Sequence, residues 1–145
     1  MNRKKVMVTM LAALVATSAW SDVSVMAEGI SYVEKGSAVG DVAVAVGTAS
    51  EAKGGGTIAI GRAHATLGNA TAIGTDATAS GSNSMALGQR ATSKNTNSIA
   101  MGVGATSEGE SSTSLGEGST AKGRDSMALG RGSYTDNWGS IAIGF

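Results

Sequence analysis

The chain has 145 residues, one domain's worth, with 22 glycines, no proline, no cysteine and only five aromatic residues. Eleven Lys/Arg balance eleven Asp/Glu, so there is no electrostatic ground for a nucleic-acid partner, and without cysteine neither a disulfide framework nor a thiolate metal site is possible. Much of the apolar content is alanine, which suits a thin core with many tight turns. It does not suit the bulky core with which a globular enzyme offsets a backbone entropy of about 1–2 kcal/mol per residue.

The first element is a targeting segment. Arg3, Lys4 and Lys5 precede an apolar run from Val6 to about Ala19, and small residues lead to Val25-Met26-Ala27. This is the pattern of a signal peptide cleaved after Ala27, residues 1–27. The run is broken by Thr9, Thr17 and Ser18 and falls short of the roughly 20 residues that a membrane-spanning helix needs. Export removes three basic residues and Asp22, leaving eight Lys/Arg against ten Asp/Glu, a net charge of −2. Residues 28–41 then form a lead-in.

From residue 42 to residue 145 the chain repeats itself. Gly47, Gly61, Gly74, Gly88, Gly102, Gly116, Gly130 and Gly144 follow one another at intervals of 14 residues, except for one of 13 between Gly61 and Gly74. Each ends an apolar tetrad: VAVG, IAIG, TAIG, MALG, IAMG, TSLG, MALG and IAIG. The bulky residues lie two apart, the period of a strand. A 14-residue period also fits two heptads, but a coiled coil needs apolar spacings of three and four, and each helical glycine would cost about 1 kcal/mol.

A second, weaker strand follows each glycine, with small residues again two apart: Ser50 and Ala52, Ala63 and Ala65, Ala77 and Ala79, and so on to Ser133 and Thr135. Residues tolerant of left-handed backbone commonly stand five before the anchor glycine: Gly56, Asn69, Asn83, Asn97, Ser111, Asp125 and Gly139. Two strands and two turns per 14 residues make one rung of a β-solenoid, all-β and parallel. At a rung spacing of about 4.8 Å, the seven intervals span about 34 Å. The expected coil core is the bulky set, Ile58, Ile60, Ile73, Met85, Leu87, Ile99, Met101, Leu115, Met127, Leu129, Ile141 and Ile143, facing the small residues of the second strand. Parity then turns the middle residues outward (Ala45, Ala59, Ala72, Ala86, Ala100, Ser114, Ala128 and Ala142) as a flat face that packs on other chains.

Asp125-Ser126-Met127-Ala128-Leu129-Gly130-Arg131-Gly132-Ser133 resembles the NSVAIGxxS motif in the heads of YadA-like trimeric autotransporter adhesins. Asn83 to Gly88 and Asn97 to Gly102 match its first six positions, and Ser140 to Gly144 matches its SIAIG part. The resemblance covers roughly Val42 to Phe145. It implies a left-handed parallel β-roll, a homotrimer, and a cell-surface adhesin head that attaches to host matrix proteins such as collagen or to other cells. The neck, coiled-coil stalk and outer-membrane β-barrel of such adhesins have no counterpart in the sequence, so the head is expected to be a fragment of a longer adhesin. A released, truncated product is the other possibility.

Catalytic patterns are weak. His64 is the only histidine, which argues against a His-rich metal site or a repeated serine–histidine nucleophile. Gly116 to Ala121 fits the dinucleotide pattern formally, but no helix follows it. Glu108, Glu110 and Glu117 suit a solvated face better than calcium ligands or paired catalytic carboxylates. No enzyme, cofactor, nucleic acid or small-molecule substrate is expected. An acyltransferase solenoid would show hexapeptide periodicity, and an ice-binding solenoid a regular Thr-x-Thr face. The candidate ligand contacts are Ser119, Arg131, Ser133, Tyr134 and Trp138, where the aromatic pair could serve as a contact hot spot or as rung-end packing.

Overall fold

The computed structural model describes residues 25–26, 29–30, 37–39 and 42–145. Apart from Val25 and Met26, the signal segment and its cleavage site at Ala27, like most of the lead-in, lie outside the described residues. Strands β1 (Val25–Met26) and β2 (Gly29–Ile30) pair antiparallel. The described residues from Ser37 onward form a parallel β-solenoid.

Each rung carries one strand of a narrow sheet and one of a wide sheet. The narrow sheet comprises β3 (Ser37–Ala38), β5 (Glu51–Ala52), β7 (His64–Ala65), β9 (Thr78–Ala79), β11 (Thr92–Ser93), β13 (Thr106–Ser107), β15 (Thr120–Ala121) and β17 (Tyr134–Thr135). The wide sheet comprises β4 (Val44–Val46), β6 (Ile58–Ile60), β8 (Thr71–Ile73), β10 (Met85–Leu87), β12 (Ile99–Met101), β14 (Thr113–Leu115), β16 (Met127–Leu129) and β18 (Ile141–Ile143). Every strand of these sheets pairs in parallel with the strand one rung away, as Met85 does with Ile99 and Thr92 with Thr106. The corners are paired too. Gly102 N–H donates to the Leu87 carbonyl at 2.9 Å and Asn97 N–H to the Ser82 carbonyl at 3.0 Å, so few backbone polar groups between rungs go unsatisfied.

The turn chemistry matches the sequence expectation. All eight anchor glycines have φ between 92° and 135°. At Gly88 an added Cβ would also lie 2.6 Å from the Gly102 carbonyl oxygen of the next rung, so both dihedral and space demand glycine there. The residues five before the anchor are left-handed at φ 54–70°, and the side chains of Asn69, Asn83 and Asn97 form a ladder with Nδ2–Oδ1 distances of 3.1 and 3.3 Å. The 13-residue repeat loses a corner residue and keeps register, with His64 set between Glu51 and Thr78. Across that shortened corner Arg62 grips Asp76 through two 2.7 Å bonds.

The assignment of faces is the reverse of the one expected. Ala45, Ala59, Ala72, Ala86, Ala100, Ser114 and Ala128 are fully buried, and the bulky neighbours on either side of each point outward, half-buried or exposed. Ile58, Ile60, Ile73, Met85, Leu87, Ile99, Met101, Leu115, Met127, Leu129, Ile141 and Ile143 are therefore not the coil core. Alternation fixes only that one set faces in; the coil's narrow section decides which. Its core takes four small residues per rung, such as Ser84 and Ala86 facing Ala91 and Ser93. The largest fully buried side chain is Thr57, and the others are serines. Isoleucines across so small a gap would overlap.

Candidate functional surfaces

With the bulky residues outside, the solenoid presents two dissimilar faces. The wide sheet displays two parallel columns. One runs Val44, Ile58, Thr71, Met85, Ile99, Thr113, Met127, Ile141, and the other Val46, Ile60, Ile73, Leu87, Met101, Leu115, Leu129, Ile143. The result is a continuous apolar stripe along the rod, which is unusual on a solitary soluble domain. The narrow sheet displays Glu51, His64, Thr78, Thr92, Thr106, Thr120 and Tyr134 in one column. The residues two further along include Ser80, Lys94, Glu108 and Lys122. Four threonines stack in register, but the second column is charged, so no Thr-x-Thr lattice forms.

Charges are paired between rungs. Lys94 meets Glu108 at 2.5 Å, Arg124 lies 3.8 Å from Glu110, and Arg131 lies 3.8 Å from Glu117. The three glutamates thus answer three different cations rather than converging. Among the described residues no group of three or more His, Asp or Glu side chains is placed to hold a metal. Hydrogen bonding from Lys53 holds the Glu51 carboxyl below its ordinary range, with His64 Nδ1 3.3 Å away contributing less. Lys94 does the same for Glu108 and Arg62 for Asp76. Gly116 to Ala121 forms a corner leading into β15, not a phosphate loop before a helix.

The five candidate ligand contacts are not brought together. Ser119 and Ser133 are buried, and their hydroxyls donate to the Gly116 and Gly130 carbonyls at 2.9 Å in both cases. Both are therefore withdrawn as ligand contacts; they are corner staples that cap the turn from within. Arg131 lies at the corner after the wide sheet, with its guanidinium 5.4 Å from the Phe145 ring centroid. Tyr134 projects from the narrow sheet beneath the Lys122 ammonium at 5.5 Å. Trp138 occupies the opposite corner, 77% exposed, its indole N–H donating to Asp125 at 2.9 Å. The feature that the sequence reading missed is the apolar stripe. Its signal lies in the serines at the fourth position before four of the anchors, Ser84, Ser98, Ser112 and Ser126, which share the parity of the middle alanines and are too small for an outward packing face.

Among the described residues no helix is long and apolar enough to cross a membrane. No curated protein matches the sequence significantly. A family model described as YadA head domain repeat (2 copies) matches residues 38–62, 68–91, 93–119, 107–133 and 121–145. The matches run through nearly all of the solenoid, and with two-strand rungs, small-residue coils and glycine corners in place, the chain belongs to the YadA head-repeat family.

Proposed function

We propose that the chain is the head of a bacterial cell-surface adhesin, exported by residues 1–27 and working as a left-handed, parallel homotrimer without catalytic activity. The observation that carries this reading is the outward apolar stripe. The largest aliphatic side chains of the solenoid cover its exterior, and its interior is alanine and serine. A rod built this way gains less from folding alone than from covering that stripe, and three copies side by side cover it with identical surfaces. Membership of the YadA head-repeat family supports the same arrangement.

With the stripe closed by neighbouring copies, the narrow sheet and the corners remain for attachment to matrix proteins such as collagen or to other cells. Arg131, Tyr134 and Trp138 stay as candidate contacts on this outer surface. Attachment sums shallow contacts over repeated rungs, which multiplies weak individual affinities through three copies.

The test has two parts. Sedimentation of purified residues 28–145 should give a trimer with a β-rich circular dichroism spectrum; a monomer at micromolar concentration would refute the assembly. Solid-phase binding to collagen, fibronectin, laminin and whole cells then tests adhesion. Absence of binding by a correctly assembled trimer would remove the adhesive role.

A further inference from the structure

The apolar stripe raises a problem of its own. Its rows repeat every rung, so two copies packed through it could slide by one rung, about 4.8 Å, and again find aliphatic rows opposite aliphatic rows. Valine, isoleucine, leucine and methionine differ too little in shape to forbid this. Something else must hold the copies level.

Two rows break the pattern. Thr71 stands between Ile58 and Met85 in the first column, and Thr113 between Ile99 and Met127. Both are half-buried at the centre of the outward face. Neither hydroxyl has a hydrogen-bond partner among the described residues; on the narrow sheet Thr92 and Thr106 reach the carbonyls of Arg90 and Gly104, while Thr78 and Thr120, also without a partner, lie on the face away from the stripe. The unsatisfied hydroxyls therefore sit where a neighbouring copy would bury them.

We infer that Thr71 and Thr113 set the axial register of the assembled heads, an inference that rests on the self-assembly proposed above. With copies level and the first column turned toward the assembly axis, threonine meets threonine and each hydroxyl has a donor or acceptor at hand. A slip of one or two rungs places both threonines against isoleucine, valine or methionine and buries their hydroxyls unpaired. A slip of three rungs realigns Thr71 with Thr113 but gives up three rungs of contact. A single polar residue in a coiled-coil seam specifies register by the same logic, trading some stability for uniqueness.

The absence of native cysteine makes register measurable by cross-linking. Val103→Cys is placed on one population of exported chain, and Gln89→Cys, Val103→Cys or Glu117→Cys on another. All three positions are exposed at the corner beside the stripe and lie one rung apart. The populations are mixed, refolded and joined with a short bis-maleimide. In the native background the zero-offset pair, Val103→Cys with Val103→Cys, should dominate. With Thr71→Val and Thr113→Val, which keep side-chain shape and remove the hydroxyls, the excess of zero-offset over one-rung products should fall about tenfold. It should not vanish, because level copies still overlap over more rungs. Thr71→Ser with Thr113→Ser should restore it. An unchanged ratio in trimers of the valine variant would overturn the inference and leave self-assembly standing. Monomeric sedimentation in every background, with no cross-link at any offset, would instead bring down the assembly on which it rests.

Discussion

Rungs in the first half of the solenoid and rungs in the second fill the same coil with different chemistry. Between residues 63 and 91 the interior is almost wholly alanine: Ala63, Ala65, Ala70, Ala72, Ala77, Ala79, Ala86 and Ala91. Between residues 93 and 119 hydroxyls replace most of it, leaving Ala100 and Ala105 as the buried alanines. Ser93 pairs with Ser98 at 2.6 Å, Ser107 with Ser112 at 2.5 Å, and Ser114 with Ser119 at 2.7 Å. The corners differ as well. The left-handed corner position holds Ala49, Asp76 and Arg90 in the first half, at φ 57–60°, and Gly104, Gly118 and Gly132 in the second, at φ 63–67°. Rungs of both kinds stack without a break in register. What each position demands is therefore a size and a backbone dihedral, and polarity is free to vary wherever a hydroxyl finds a partner.

The sharpest way to break that equivalence is to violate size and dihedral together. Gly88→Ala forces a Cβ onto the Gly102 carbonyl at a φ of 127°, and its expected cost is about 3 kcal/mol or more. Gly118→Ala also has a positive φ, 63°, but open space around the new methyl, so it should cost only about 1–2 kcal/mol. Chemical denaturation of the two variants separates space from dihedral. Equal losses would mean that rung-to-rung crowding is not what selects glycine at the anchors.

Size alone comes next. Ala86→Leu overfills the coil and should destabilise it by about 1–3 kcal/mol or more, while Leu87→Ala, one residue away on the stripe, should leave the single-chain fold intact and weaken association of copies. Thermal melts paired with sedimentation distinguish the two effects. The opposite outcome would restore the arrangement that spacing alone suggested.

That inversion marks the boundary of what the sequence made legible. The period, the two strands per rung, the glycine anchors and the left-handed Asn and Asp corners were readable, because each is a local demand of backbone geometry that recurs eight times. Which parity faces inward was not local. It depends on the distance between two sheets, set by how tightly the corners close, and bulk pointed the wrong way because the large residues serve a surface, not a core. Ser119 and Ser133 were misjudged for the same reason: a hydroxyl beside a glycine corner looks exposed until its carbonyl partner is located inside the coil. Arg131, Tyr134 and Trp138 are exposed, but spacing could not show that they lie at different points around the rung.

Polarity itself is tested by exchange. Ser107→Ala removes a bond to the Ser112 carbonyl and hydroxyl and should cost about 1 kcal/mol. The reverse change in the alanine half, Ala79→Ser, occupies the position equivalent to Ser93, with Ser84 where Ser98 would stand. It should cost less than about 0.5 kcal/mol, since a partner is already waiting. Ala65→Ser meets Ala70 instead and should be worse than Ala79→Ser. If the two serines behaved alike in equilibrium unfolding, partner hydroxyls would not be what makes the polar rungs tolerable.

The smallest expected difference between the halves is electrostatic. Glu51 and Asp76 in the first half and Glu108 in the second carry carboxyls held below their ordinary range by Lys53, Arg62 and Lys94 respectively. A carboxyl with a lowered folded pKa stabilises the fold above its unfolded value, near pH 4, and that contribution is lost as pH falls through the folded value. These pairs are exposed and screened by salt, so each contributes little. Because a solenoid opens locally rather than all at once, the loss should appear as faster amide exchange around the affected corners. Between pH 6 and pH 3, after correction for intrinsic rates, protection should fall more around residues 51–76, with two such carboxylates, than around residues 94–108, with one. Raising the salt at pH 6 should produce a weaker version of the same asymmetry, and Asp76→Asn should remove most of it. Uniform loss along the rod would show that the inter-rung ion pairs do not distinguish the halves, leaving interior and corner chemistry as the only differences between them.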